Sequence, residues 1–72
     1  MSRTWEGEAN VITMASYLIT GTVNGITIPE TIENVSPYAL EAFATARRKI
    51  INKFKAMGYN EQDIIYKQTE TT

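Results

Sequence analysis

The chain has neither cysteine nor histidine among its 72 residues. Without cysteine there is no disulfide framework, no thiolate nucleophile and no cysteine metal site. Without histidine the usual acid–base group of neutral pH and the commonest metal ligand are both missing. No sign of charge dominates either. Seven Lys and Arg stand against eight Asp and Glu, for a net charge of -1, which suits neither a polybasic nucleic-acid clamp nor an acidic mimic of one. No apolar run approaches the length of a membrane span, and the N-terminus lacks a basic-then-apolar signal sequence. The compartment expected from these features is the cytoplasm, with no membrane partner.

The remaining catalytic chemistries find little support. Glu30, Glu33, Glu41, Glu61 and Asp63 show no spacing with acid–base or metal-binding logic. Serines and threonines are plentiful, yet no base is spaced to activate one. Glycine and proline are scarce, at four and two residues, and the structural positions described below account for Gly21, Gly25 and Gly58. No phosphate-cradling loop is left over. The expectation is a non-enzyme with no catalytic, cofactor-binding or metal-binding residues, and no cofactor. No motif is specific enough to indicate a family.

A chain of this length forms one domain. Residues 1–9 read as a polar arm without periodicity, anchored only by Trp5, which either folds back on the body or awaits a partner. The single domain is expected over residues 10–69, with a frayed tail at 70–72. From about Asn10 to Val23 the chain is rich in β-branched and aromatic residues; residues 10–14 either extend the first strand or form a separate one. Asn24-Gly25 then marks a two-residue hairpin turn of the I′ type, in which both central residues need positive φ. That turn fixes a register pairing Val23 with Ile26, Gly21 with Ile28, Ile19 with Glu30 and Tyr17 with Ile32. One sheet face then carries Tyr17, Ile19, Val23, Ile26, Ile28 and Ile32, and the other Leu18, Thr20, Thr22, Thr27 and Thr31. Pro29 requires an edge strand or a local bulge, and Glu30 points inward unless such a bulge turns it out.

A helix is expected from Pro37 to Met57. Ser36 serves as its N-cap, Pro37 as its first residue, and Val35 with Leu40 as a hydrophobic staple. At the other end Gly58 closes the helix and Tyr59 packs back on Phe54 in a Schellman motif. The apolar stripe comprises Leu40, Phe43, Ala46, Ile50, Phe54 and Met57, flanked by Ala39, Ala44 and Ile51. A last strand follows over Ile64–Gln68. Its start at the far end of the helix makes it antiparallel to the first strand. The expected fold is a small α+β domain of ββαβ order, with a three-stranded antiparallel sheet (order 2-1-3) and one long amphipathic helix on one face.

Function, by elimination, is expected on a surface: a non-catalytic binding module, an accessory regulator or inhibitor acting through protein–protein contacts, of the kind viruses and mobile elements encode. The candidate partner-binding residues are Trp5, Arg47, Arg48, Lys55, Tyr59 and Tyr66. Arg47 falls within the apolar stripe, where three roles compete. Its stem packs while the guanidinium reaches solvent, it pairs with the equally misplaced Glu30, or it anchors an anionic partner. Tyr59, Tyr66 and Trp5 are the aromatic candidates for an interface hot spot. The alternative is a nucleic-acid binder using the N-terminal arm and the basic helix flanks, Arg48 with Lys55 on one side and Lys49 with Lys53 on the other. A third reading is a purely structural subunit. A homodimer is a natural supplement for so small a core.

Overall fold

The computed structural model describes residues 13–71. The Trp5 arm and residues 10–12 lie outside the described residues. Strand β1 runs over Ala15–Val23 and strand β2 over Ile26–Val35. Asn24 and Gly25 join them with φ of 53° and 81°, the conformation a I′ turn demands and one that Asn and Gly tolerate. The register is the one the turn dictates, from Val23 opposite Ile26 to Tyr17 opposite Ile32. Threonine side chains meet across the exposed face, where the Thr22 and Thr27 hydroxyls lie 2.9 Å apart.

The hairpin's irregularity lies at the opposite end from Pro29. Two residues of β2, Glu33 and Asn34, oppose the single Ser16 of β1. Asn34 has a φ of 55° and donates its amide to Ser16 Oγ at 3.2 Å. This bulge shifts the side-chain phase by one, so Val35 rather than Asn34 packs against the core. Pro29 needs no bulge. In a two-residue hairpin, residues 26, 28, 30 and 32 bond to β1 while 27, 29, 31 and 33 point their backbone groups outward. β2 is an edge strand, so the N–H that Pro29 lacks would have faced solvent.

Helix α1 spans Leu40–Ala56, later than its expected start at Pro37. Ser36 does not cap it. The Ser36 carbonyl accepts the Ala39 amide at 3.0 Å and its hydroxyl accepts the Tyr38 amide at 3.0 Å. These bonds close a turn with Pro37 at its second position, a site proline also favours. The staple fails with the cap, because Leu40 is 75% exposed. The C-terminus matches the sequence reading. Gly58 has a φ of 93°, its amide reaches the Lys55 carbonyl, and the Tyr59 amide reaches that of Phe54, each at 3.0 Å. The Tyr59 and Phe54 rings meet edge-on, 6.0 Å between centroids. Met57, just past the last helical residue, is half exposed and drops out of the expected stripe.

A 3₁₀ turn over Glu61–Asp63 leads to the buried Ile64 and to strand β3, Ile65–Glu70. β3 pairs antiparallel with β1, from Thr22 opposite Ile65 to Tyr17 opposite Glu70, in the order β2-β1-β3. The ladder continues past the expected end at Gln68, and Thr71 still donates to the Ser16 carbonyl at 2.8 Å. The protein is a small α+β domain: one three-stranded antiparallel sheet with a helix packed on one face.

The core lies between that helix and the hairpin. Tyr17, Ile19, Val23, Ile28 and Ile32 from the sheet meet Phe43, Ala46, Ile50 and Phe54 from the helix, with Ile64 closing one end. Tyr17 and Phe43 stack edge-on at 5.1 Å. Ile26, expected on this face, is 37% exposed beside the turn. Among the described residues no charged or polar residue is fully buried, and no helix is long and apolar enough to cross a membrane.

Candidate functional site

Every residue of β3 is exposed. The helix covers β1 and β2 and leaves the third strand bare, and that asymmetry positions most of the candidate residues. Lys53 projects from one helix flank towards β2, where its Nζ donates to Glu30 Oε2 at 3.2 Å. On the other flank, turned by helical spacing towards β3, stand Arg47, Ile51, Arg48 and Lys55.

The pairing proposed for Arg47 with Glu30 is therefore overturned. Glu30 does point inward, with only 17% of its side chain exposed, but Lys53 closes over it. The reason is lateral. β2 and β3 lie on opposite sides of β1, and Arg47 sits on the β3 side of the helix axis. Arg47 is half-buried, as a stem packed along the stripe's edge would be. Its charge bears on the Tyr66 phenol.

Lys55, Tyr59 and Tyr66 converge on one open hollow of about 640 Å³ at the C-terminal end of the helix. Gln62 and Ile64 complete its wall, together with Asn60 and Glu61. Two devices hold it. The Schellman turn reverses the chain so that Tyr59 lies against Phe54, and Asn24 of the hairpin turn donates to the Tyr59 hydroxyl over 3.5 Å. Pairing of Gly21 with Tyr66 then brings Tyr66 beside the same end of the helix. Lys55 Nζ stands 3.7 Å from Glu61 Oε1, with both side chains more than half exposed. The Tyr66 phenol is raised above its ordinary value of 10.0, first by burial and then by the negative charge of Glu61, while Arg47 pulls it back. Tyr66 thus sits between one charge of each sign, with its ring partly out of water.

Of the residues singled out from sequence, the structure joins Lys55, Tyr59 and Tyr66 in the hollow and places Arg47 beside it. Arg48 is exposed on the same flank but does not line the hollow. Trp5 lies outside the described residues. The sequence reading missed Gln62, Ile64, Asn60 and Glu61 as lining residues. The signal was present as a polar tetrapeptide, Asn60–Asp63, held between two tyrosines.

The basic residues do not form one surface. Lys49 lines a second, smaller hollow of about 360 Å³ on the β2 side with Glu30, Thr31 and Thr45. Glu41 lines it as well. Among the described residues no cluster of three acidic side chains could hold a metal ion. No family model matches the chain, and neither does any curated protein or solved structure.

Proposed function

We propose that this chain is a non-catalytic binding module, a small regulator or inhibitor whose contact surface is the hollow formed by Lys55, Tyr59, Tyr66 and the turn before β3. The observation that carries this reading is the convergence of two tyrosines and a cation on one concave, solvent-open site. Tyrosine side chains combine broad apolar contact with a polar anchor and are enriched among the hot spots of protein interfaces. The site suits a protruding side chain or loop of a partner protein, and it needs no cofactor.

A nucleic-acid partner fits the charges less well. Lys53 and Lys55 are each held by a carboxylate, and the cations divide between two helix flanks. A phosphate-tracking surface gathers its cations along one path.

Affinity capture with tagged wild-type protein and a Tyr66→Ala variant, with and without nuclease, tests the reading. The expected result is a defined protein retained by the wild type after nuclease treatment and lost by the variant. Material that disappears with nuclease, or that Tyr66→Ala captures equally well, refutes it.

A further inference from the structure

Among the described residues, two strands of the sheet have a free edge, and the edges differ. Along β2 the outward-facing backbone positions are Thr27, Pro29, Thr31 and Glu33, and Pro29 interrupts the row of donors. A proline on an edge is a standard obstacle to strand addition. Along β3, positions 65, 67 and 69 bond to β1, a phase fixed by the Thr71 amide bonding to Ser16. Tyr66, Gln68 and Glu70 therefore direct their N–H and C=O groups away from the sheet. This row has no proline and no bulge, and among the described residues no helix covers it.

We propose that the β3 edge is the contact surface for a second copy of this chain, pairing β3 with β3 antiparallel about a two-fold axis. The two sheets become one continuous sheet with both helices on the same face. This inference does not rest on the partner assigned to the hollow, although Tyr66 belongs to both surfaces.

Strand chemistry selects the register. A two-fold axis perpendicular to the sheet keeps residues of one face opposite one another. Centring the axis on Lys67 sets two like charges directly opposed, which is unfavourable. Centring it on Gln68 pairs Gln68 with itself, Lys67 with Thr69, and Tyr66 with Glu70. No like charges then face each other, and all three outward residues find backbone partners.

This second register also complements Arg47. Glu70 of the partner subunit comes to lie opposite Tyr66, on the helix side of the sheet where Arg47 bears on the Tyr66 phenol. Symmetry repeats the contact, so each dimer holds two Arg47–Glu70 pairs across the junction. A charge out of place in a monomer's stripe has a partner in the dimer.

Sedimentation equilibrium and light scattering across a concentration series test the proposal on the full chain. The wild type is expected to reach the mass of two chains. Gln68→Pro deletes the central outward donor and spares the β1 ladder, so it is expected to remain at the mass of one chain with unchanged circular dichroism. Arg47→Glu and Glu70→Arg are each expected to raise the dimer dissociation constant about tenfold or more, and the double variant to recover most of that loss. If Gln68→Pro fails to fold, the charge-reversal cycle alone decides. A wild type that stays monomeric up to about 1 mM overturns the proposal. So does a folded Gln68→Pro that still dimerises, or a double reversal with no recovery.

Discussion

Gly21 lies directly beneath Ile50. A Cβ on Gly21 would stand 2.5 Å from Ile50 Cγ2 and 2.8 Å from Ile64 Cγ2. The missing side chain lets the helix settle onto the central strand while Ile64 closes in beside it, and the floor of the hollow depends on that approach. Gly21→Ala forces either the helix or Ile64 to move. Overpacking of this kind costs about 1–3 kcal/mol, which in a domain of this size lowers Tm by roughly 4–24 °C. Thermal and urea melts check it. Ile50→Leu, which takes the Cγ2 methyl off Cβ at nearly constant volume, should recover part of the loss in the Gly21→Ala background.

The ion pairs separate two cations that the sequence alone could not distinguish. Lys53 holds the inward-pointing Glu30, so Lys53→Met should lower stability by about 0.5–1 kcal/mol, less at high salt. Arg47 has no carboxylate partner among the described residues, so Arg47→Met should leave the stability of the monomer within about 0.5 kcal/mol of wild type. Denaturant titrations at low protein concentration compare the two. Equal losses would mean that Glu30 is shared.

Gly58 ends the helix with a left-handed φ of 93°, which brings Tyr59 into the hollow. Placing an L side chain there costs about 1–2 kcal/mol. Gly58→Ala should show that loss in melts, and Gly58→Asn should show less of it because Asn tolerates the conformation.

The Tyr66 phenol reports on the electrostatics of the site. Burial and Glu61 raise it, and Arg47 opposes them. Glu61→Gln should therefore bring its titration back towards 10.0 and Arg47→Gln should push it higher, as read by ultraviolet difference absorbance. The linkage sign follows. A raised value means the folded state holds the phenol proton more tightly. The stabilising contribution is complete below pH 10.0, the ordinary value, and is lost as pH climbs through the raised one.

Much of this arrangement was legible in the residues, for identifiable reasons. Asn24-Gly25 admits one turn geometry, and the turn sets every pair of the hairpin down to Tyr17 and Ile32. Gly58-Tyr59 likewise specifies a Schellman end. Ser36-Pro37 misled because the same two residues that begin a helix also make a tight turn, and local chemistry does not separate these outcomes. Leu40 shares the helical angle of the stripe's edge but is exposed, because the helix packs on β1 and β2, which periodicity cannot reveal. The partner of Glu30 was hidden for the same reason. Helical angle placed Arg47 nearer the core than Lys53, and only the lateral position of the helix over β1 and β2 brings Lys53 to Glu30. The hollow was half visible: its tyrosines and Lys55 stood out, while only polarity marked Asn60–Asp63.

The central claim is that partner contact takes place at the hollow. A photo-crosslinking residue at Gln62, on the rim of the hollow and off the β3 ladder, tests it directly when compared with the same residue at Thr27 on the helix-free face. The account predicts a discrete protein adduct from position 62 in host lysate, insensitive to nuclease and absent from position 27. Adducts formed only at position 27, or adducts that consist of nucleic acid, would contradict it.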